Sequence, residues 1–207
     1  AFRKSEEYEV VGVVEPDEKL RAYAASTGIY KDLPFLTQEQ LLNIDGLQAV
    51  AVETQVPDLL PTAETCIAAG KHIHLDKPAG LSLPHFKRIL DQAAQKHLLL
   101  QMGYMYRYNP GVVLLRDLLQ KGWLGEPFEV HTVISKKMDA ASRKQLEPQP
   151  GGMMFELACH VIDLVVEILG RPDQVTAFAQ HASDIDDTLQ DNMLAVFSYP
   201  RALATLQ

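Results

Sequence analysis

Apolar and polar positions alternate in blocks along the first half of the chain. Short β-branched or aliphatic runs predict strands over 8–16, 47–54, 72–75 and 98–103. Between them, apolar residues at helical spacing predict helices over 19–27, from a capping box of Thr37 and Gln40 onward, over 59–70 and over 83–97. Strands separated by helices predict right-handed crossovers and a parallel sheet with helices on both faces.

The pattern changes after Gly103. There the spacing predicts helices over 111–122 and 155–169, a strand over 127–135, and a polar, proline-bearing loop over 136–151. Three closely spaced strands follow, over 174–180, 191–199 and 202–207. A turn rather than a helix separates the last two, which predicts antiparallel pairing. We therefore expect an α/β domain over 1–103 and an α+β domain over 104–207.

Composition narrows the class of protein and of partner. The 207 residues, of which 47% are hydrophobic, can bury a sizeable core, and a net charge of −8 offers no basic surface to nucleic acid. The two cysteines, Cys66 and Cys159, fit free thiols better than a disulfide scaffold. No apolar run approaches the roughly 20 residues that span a bilayer. We expect a cytoplasmic protein with a small-molecule partner and no membrane association.

Ligands of open parallel sheets bind beyond the carboxyl ends of the strands, so the residues there are the first candidates. Glu15, at the first of these strand ends, can accept hydrogen bonds from both ribose hydroxyls of a dinucleotide and repel a 2′-phosphate, which would favour NAD over NADP. A solvated turn acid beside a proline is the commoner alternative. The candidates are Glu15, Thr54, Gln55, Asp76 and Lys77.

Lys77 is the most informative of these residues, because Pro78 follows it directly and restricts the backbone. A lysine held at a sheet end can hydrogen-bond an alcohol or carbonyl oxygen and stabilise the negative charge that grows there. The alternative is a solvated lysine with Asp76 as its ion-pair partner. The residue type and its place leave both interpretations open.

The predicted helix 155–169 places Glu156, His160 and Asp163 on one face. His160 can take or give a proton near neutral pH, and Glu156 one turn earlier can orient the ring or the substrate. A mixed stripe that also includes Glu167 is typical of a solvated helix face, which is the commoner alternative. Glu156 and His160 could share a metal ion, but no third ligand lies at a supporting distance, so we predict no metal site.

Three segments resemble, in order and spacing, the glucose-fructose oxidoreductase, inositol dehydrogenase and rhizopine catabolism (Gfo/Idh/MocA) family of NAD(P)-dependent oxidoreductases. They are GKHIHLDKPAGLS around Lys77, GYMYRYNP over 103–110, and GGMMFELACHVIDLV around His160. The resemblance covers nearly the whole chain. It implies a Rossmann-like, doubly wound parallel sheet, followed by an α+β domain whose largely antiparallel open sheet mediates homo-oligomerisation.

The resemblance also implies roles for particular residues. It matches the catalytic lysine to Lys77, the catalytic histidine to His160 and the acid that contacts the substrate to Glu156. Asp76 stands where the family usually has Glu, and Glu156 stands where it usually has Asp. Each change keeps the charge and moves it by one methylene, which affects substrate placement more than the class of reaction. The further substrate contacts expected beside the cleft are Tyr104, Tyr106, Arg107, Asn109 and Asp163.

The activity implied is reversible hydride transfer between a nicotinamide and a secondary alcohol of a sugar, a polyol or a related ring. NAD is expected as the cofactor, with NADP the less favoured form. Two alternatives stay open: a glycosidase-type relative that uses bound NAD transiently, and a sugar- or nucleotide-sensing protein of the same fold that has lost catalysis. The presence of both Lys77 and His160 favours an enzyme over the sensing protein.

Some parts of the family pattern are absent from this sequence. The family's nucleotide domain begins with a strand and a glycine-rich turn, whereas Gly12 stands alone here without a GxGxxG pattern. The segment ETQVP over 53–57 replaces the Thr/Asn-Pro that the family more often has beside the nicotinamide. We expect the chain to be a fragment of a longer protein, incomplete at both ends.

Overall fold

The computed structural model describes residues 4–28 and 30–207. In the first half, three short strands form a parallel sheet in the order β1, β2, β3, as the alternating pattern predicts. The elements are α1 Glu18–Thr27, α2 Gln38–Leu42, β1 Ala49–Val52, α3 Val56–Ala68, β2 His72–Leu75, α4 Leu83–Gln95 and β3 Leu100–Met102. The parallel register brings the carboxyl ends of β1 and β2 to the same edge of the sheet.

The core of this half lies between the sheet and the helices that connect its strands. Leu59 and Ile67 of α3 pack with Val52 and Leu75 of the strands, and all four side chains are fully or almost fully buried. Ile89 of α4 completes the same cluster. Thr37 and Gln40 form the predicted capping box at the start of α2, with each side chain accepting from the other residue's backbone N–H.

The predicted strand over 8–16 is wrong. Only Val13 forms a β-bridge, a single parallel one to Phe35. The N–H of Val13 donates to the carbonyl of Pro34 at 3.0 Å, and the N–H of Leu36 donates to the carbonyl of Val13 at 2.8 Å. An apolar run becomes a strand only where a neighbouring strand continues the ladder, and the described residues provide one bridge and no ladder.

The second half contains a mixed four-stranded sheet in the order β4, β7, β6, β5. As predicted, β5 pairs with β6 and β6 with β7 in antiparallel fashion, while β4 runs parallel to β7. The elements are a 3₁₀ turn Met105–Tyr108, α5 Pro110–Gln120, β4 Glu129–Thr132, α6 Ala140–Leu146, α7 Gly152–Glu156, α8 Cys159–Leu169, β5 Gln174–Gln180, β6 Asn192–Ser198 and β7 Leu203–Leu206. Residue 103, which follows β3, stays the predicted domain boundary.

The segment 136–151 is not a loop, because it contains α6. Asp139 caps this helix by accepting the N–H of Ser142 at 2.8 Å. Arg143, only 5% exposed, donates two hydrogen bonds to Asp187 and one to Asp191, at 2.6 to 2.9 Å. Sequence periodicity did not indicate this helix, because a buried ion cluster formed with residues over 40 positions away anchors it.

The predicted helix 155–169 is broken after Glu156. The N–H of Ala158 reaches back five residues to the carbonyl of Met153 at 3.3 Å, and the N–H of His160 reaches the carbonyl of Leu157 at 3.5 Å. The ordinary bond from the His160 N–H to the Glu156 carbonyl is therefore not made. Glu156 ends α7, and His160 lies at the start of α8, so they do not share one regular helix.

α8 packs against the second sheet through its apolar stripe. Val161 and Val165 lie in one cluster with Ala195, Ala204 and Leu206 of the strands. The polar side chains Asp163 and Glu167 of α8 instead contact arginines of the 3₁₀ turn and of α5. Within the described ranges, no helix combines the length and the hydropathy that crossing a bilayer requires.

The buried cluster at Arg143 leads to a stability prediction. Replacing Arg143 with Gln should lower the urea midpoint of unfolding, because the buried charges of Asp187 and Asp191 would lose the guanidinium that binds both of them. Lys121→Gln is the matched control, since it removes an exposed pair with Asp117 on the surface of α5. We expect the midpoint, followed by circular dichroism, to move several times further in Arg143→Gln. Equal shifts would contradict a structural role for the cluster.

Candidate functional site

The backbone around Lys77 is fixed by the end of the parallel sheet. The N–H of Asp76 donates to the carbonyl of Val52 at 2.9 Å, and the N–H of Gly103 donates to the carbonyl of Leu75 at 2.8 Å. Asp76 Oδ1 in turn accepts the N–H of Lys77 at 2.8 Å. The Lys77–Pro78 peptide bond is cis. Hydrogen bonds to β1 and β3 thus hold the point at which the lysine leaves the sheet.

The ammonium of Lys77 binds Glu156 rather than Asp76. Its Nζ donates to Glu156 Oε1 at 2.8 Å and to the Glu156 carbonyl, also at 2.8 Å. The break between α7 and α8 leaves that carbonyl free to accept, because the backbone of His160 does not use it. The lysine side chain is only 16% exposed. The two halves of the chain are therefore joined by a charge-assisted pair at the sheet edge.

His160 lies beside this pair in a buried position. The residue is 7% exposed, and its Nδ1 has no hydrogen-bond partner among the described residues. The ring of Tyr106 lies 5.5 Å away, and that of Tyr104 lies 6.3 Å away in an edge-to-face arrangement. Burial, and next the positive charge of Lys77, lower the pKa of His160. The ring is therefore neutral at pH 7 and able to accept a proton.

Glu156 has one free oxygen as well as the one that binds Lys77. Its Oε2 is buried and has no hydrogen-bond partner in the described part of the chain. A buried acceptor without a partner costs free energy, so it is a favourable place for a donor from a ligand. Glu156 Oε2 and His160 Nδ1 are two such atoms in the immediate surroundings of Lys77.

The rest of the polar stripe on α8 is not a solvated face. Asp163, whose side chain is 12% exposed, accepts two hydrogen bonds from Arg107, at 2.8 Å to Nε and 2.6 Å to Nη2. One turn further on, Arg116 Nε lies 3.1 Å from Glu167 Oε1. The hydrogen bonds to Asp163 raise the pKa of Arg107. The stripe therefore pairs with cations from the preceding turn and from α5.

A polar cavity of about 350 Å³ lies at the Lys77–Glu156 pair. Both halves of the chain contribute to its wall, and four of the predicted cofactor contacts belong to it. The residues that line it from the parallel sheet and α3 are Thr54, Gln55, Val56, Asp76 and Lys77. From the second half they are Lys136, Met138, Ser142, Gln145, Leu146, Gln149, Met153, Glu156 and Leu157.

A second cavity of about 550 Å³ is largely apolar. It lies between the segment after Pro78 and the helices α7 and α8, and Tyr104 and Asp163 are among its few polar groups. Burial raises the pKa of the Tyr104 hydroxyl to about 12, so this group stays protonated. Cys159 also lines this cavity, and burial raises the pKa of its thiol to about 11, which makes it a poor nucleophile.

Several predicted site residues line neither cavity, namely Glu15, Tyr106, Arg107, Asn109 and His160. Glu15 Oε1 accepts the N–H of Asp17 at 2.9 Å, which is the geometry of a turn acid. Asn109 Oδ1 accepts the N–H of Gly111 at 2.9 Å and caps α5. Their assignments to cofactor and substrate stay predictions. His160 reaches the site through its contacts with Tyr104 and Tyr106 rather than through a cavity wall.

The sequence analysis did not identify the polar side chains that segment 136–149 contributes to the 350 Å³ cavity. Ser142, Gln145 and Gln149 line it, and Gln149 Oε1 is buried without a partner among the described residues. No spacing or motif marked these residues, because the segment read as a polar loop. Within 4–28 and 30–207, no cluster of three His, Cys, Asp or Glu side chains is arranged to hold a metal ion.

Comparison with known proteins places both halves of the chain in one family. A family model described as "Oxidoreductase family, NAD-binding Rossmann fold" matches residues 1–104, and one described as "GFO/IDH/MocA C-terminal domain" matches residues 112–207. The trans-1,2-dihydrobenzene-1,2-diol dehydrogenase of Bos taurus is 24% identical over 198 residues, which are 94% of this chain and 57% of that protein. YdgJ of Escherichia coli K12, an uncharacterized oxidoreductase, is 26% identical over 196 residues, 90% of this chain and 56% of its own length.

The chain thus spans little more than half the length of the curated relatives it matches. Among solved structures, an oxidoreductase from Bacillus cereus superposes with a TM-score of 0.80 at 21% identity, over 99% of this chain and 58% of that one. At that identity, the likeness shows the fold. It agrees with the arrangement described above, a Rossmann-like parallel sheet followed by a mixed, largely antiparallel one.

The electrostatic effect of Lys77 on His160 leads to a prediction about the pKa of the imidazole. Replacing Lys77 with Met should raise the pKa of His160, because it removes a nearby positive charge and leaves Glu156 without its cation. The measurement is an NMR pH titration of the His160 imidazole in both proteins. Lys87→Met is the control, since Lys87 lies exposed on α4 and pairs with Asp91. An unchanged His160 pKa in Lys77→Met would show that the ammonium does not act on the ring.

Proposed function

The chain belongs to the Gfo/Idh/MocA family of oxidoreductases, and from that premise we propose that it transfers hydride between a nicotinamide and a secondary alcohol of a sugar, a polyol or a related ring. One observation carries the proposal. At the edge of a Rossmann-like sheet, a lysine held by Glu156 lies beside a buried histidine whose pKa is lowered. In alcohol oxidation a fixed cation stabilises the negative charge that develops on the oxygen, and a neutral base accepts the hydroxyl proton.

The residues at the strand ends fit the nicotinamide end of a cofactor. Thr54, Gln55 and Asp76 line the polar cavity beside the first turn of α3. Gln55 makes no side-chain cap at that helix, so its amide is available to a ligand. A bound nicotinamide supplies the acceptor or donor of the hydride. NAD rather than NADP remains our prediction, and it rests on Glu15. The hydrogen bond from the Asp17 N–H goes to Oε1 of this carboxylate, so Oε2 is available to a ribose hydroxyl.

The chain's own residues supply the proton chemistry. His160, neutral at pH 7, takes the proton of the substrate hydroxyl in the oxidative direction and returns it in the reverse one. Lys77 stabilises the negative charge that develops on the same oxygen. Glu156 holds the ammonium through two oxygens, and its free Oε2 accepts a hydrogen bond from a neighbouring substrate hydroxyl. Glu156 thus both positions the lysine and orients the substrate.

The polar wall supports a hydroxyl-bearing substrate. Ser142, Gln145 and Gln149 face the strand ends across the 350 Å³ cavity, and amides and hydroxyls of this kind bind sugar hydroxyl groups. Mammalian relatives are named for a cyclic diol, trans-1,2-dihydrobenzene-1,2-diol, which also carries secondary alcohols on a ring. We therefore propose cyclic diols and polyols as the compounds to test first.

Two further predictions concern the oligomeric state of the protein and its location in the cell. All seven residues of β5 are exposed, including Val175 and Phe178, and Phe128 before β4 is 74% exposed. Apolar side chains on an open sheet favour association, which supports a homo-oligomer formed through the second sheet. The cytoplasmic location stays a prediction from the sequence.

Cofactor binding is the first test, by calorimetric titration of the chain with NADH and, separately, with NADPH. We expect NADH to bind and NADPH to bind more weakly, because a carboxylate near the ribose repels a 2′-phosphate. Glu15→Gln should narrow that difference, and Glu18→Gln in the first turn of α1 is the control. Equal binding of the two cofactors would contradict the role of Glu15, and binding of neither would show that these residues do not hold a nicotinamide cofactor without the glycine-rich turn of the family.

Turnover is the second test. With a substrate found by screening myo-inositol, glucose and trans-1,2-dihydrobenzene-1,2-diol, His160→Ala should lower kcat by about 10²- to 10⁴-fold, the usual contribution of a general base. His131→Ala is the control, because His131 is exposed on β4 and bonds Thr205. NADH binding should be unchanged in both variants. Full turnover by His160→Ala would contradict the role of His160 as the general base.

A further inference from the structure

The ion pair between Arg107 and Asp163 connects the 3₁₀ turn to α8 beside the catalytic histidine. Both hydrogen bonds are short, at 2.8 and 2.6 Å, and they form the bidentate arrangement in which a guanidinium is held most rigidly. Asp163 follows His160 by one turn on α8, and Arg107 follows Tyr106 directly in the turn. The pair therefore sets the distance between the turn and the histidine.

That distance decides the surroundings of the imidazole. Tyr106 lies 5.5 Å from the His160 ring with its plane tilted by 53°, and Tyr104 lies 6.3 Å away at 87°. Tyr106 also packs against the apolar cluster between α8 and the second sheet. The two rings cover His160, which agrees with its 7% exposure. Each would move with the 3₁₀ turn if the turn left α8.

We propose that Arg107 and Asp163 are a positioning pair, which holds Tyr104 and Tyr106 against His160 and keeps water from its ring. Their charges neutralise each other, and the substrate contacts that the sequence predicts for both residues stay predictions. The catalytic meaning of the pair rests on the proposed function, whereas its effect on the imidazole does not.

The charged groups that face His160 determine the sign of the expected effect. They are Asp76 and Lys77 after β2, Glu156 at the end of α7, and Asp163 on α8 itself. Burial and Lys77 lower the His160 pKa, and the three carboxylates raise it. Loss of the Arg107 guanidinium would let water reach the ring and would leave Asp163 without its cation. Both changes act in the same direction, so the pKa of His160 should rise.

The chain offers a matched control one turn further along the same helix. Arg116 of α5 pairs with Glu167 of α8 through a single contact of Nε with Oε1 at 3.1 Å. Arg116→Gln therefore removes an arginine–carboxylate contact of α8 that does not adjoin the two tyrosines. A general loosening of α8 would affect both variants, whereas the proposed positioning effect belongs to Arg107 alone.

The experiment is an NMR pH titration of the His160 imidazole in the unchanged chain, in Arg107→Gln and in Arg116→Gln. The chain has seven histidines, so His160→Gln identifies the resonance by its disappearance. We expect an upward shift of the His160 pKa in Arg107→Gln and no shift in Arg116→Gln. A folded Arg107→Gln with an unshifted pKa would overturn the proposal, and so would equal shifts in the two variants.

A milder variant covers the case in which Arg107→Gln does not fold. Arg107→Lys keeps the charge but loses the bidentate geometry, so it should give a smaller upward shift. An unshifted pKa in Arg107→Lys would overturn the proposal in that case. The titration needs neither cofactor nor substrate, so its outcome is independent of the turnover test. A pKa shift without turnover would support the positioning role of Arg107 and Asp163 and contradict the proposed dehydrogenase activity.

Discussion

The contact between Lys77 and Glu156 is the interaction on which the candidate site depends. It joins residues 79 positions apart, one at the end of a parallel strand and the other at the end of a short helix. The lysine binds the Glu156 carbonyl, which in a continuous helix would accept the N–H of His160. The break between α7 and α8 therefore provides one of the acceptors that place the ammonium. Because the pair is largely removed from water, loss of either partner would leave an uncompensated charge.

The same contact determines the electrostatics of the neighbouring histidine. A buried imidazole near a fixed ammonium is held neutral, and so it is ready to accept a proton at physiological pH. The tyrosines at 5.5 and 6.3 Å keep it in an apolar setting, where a nearby charge acts more strongly than it would in water. The contacts of Lys77, Glu156 and the two tyrosines thus fix the groups around the imidazole.

The opposite wall of the polar cavity has a separate support. α6 carries Ser142 and Gln145 to the cavity, and Arg143 between them points instead into the ion cluster with Asp187 and Asp191. The connection from β5 to β6 therefore supports the wall that α6 forms, while the ends of β1 and β2 form the opposite wall.

The sequence by itself predicted the parallel sheet of the first half and the antiparallel pairing of β5, β6 and β7, and it marked Lys77 and His160 as candidates for the chemistry. Periodicity is a local property, and Lys77 and His160 stand in local motifs at the end of a strand and on an amphipathic helix. The tertiary structure alone decided which groups are partners: Lys77 with Glu156 rather than Asp76, Arg107 with Asp163, and Arg143 with two aspartates more than 40 residues away. It also decided that 8–16 forms one bridge and that 136–151 contains a helix. The physical reason is common to these cases, because a ladder, a buried ion pair and a helix break each depend on an atom that distant parts of the chain bring into place.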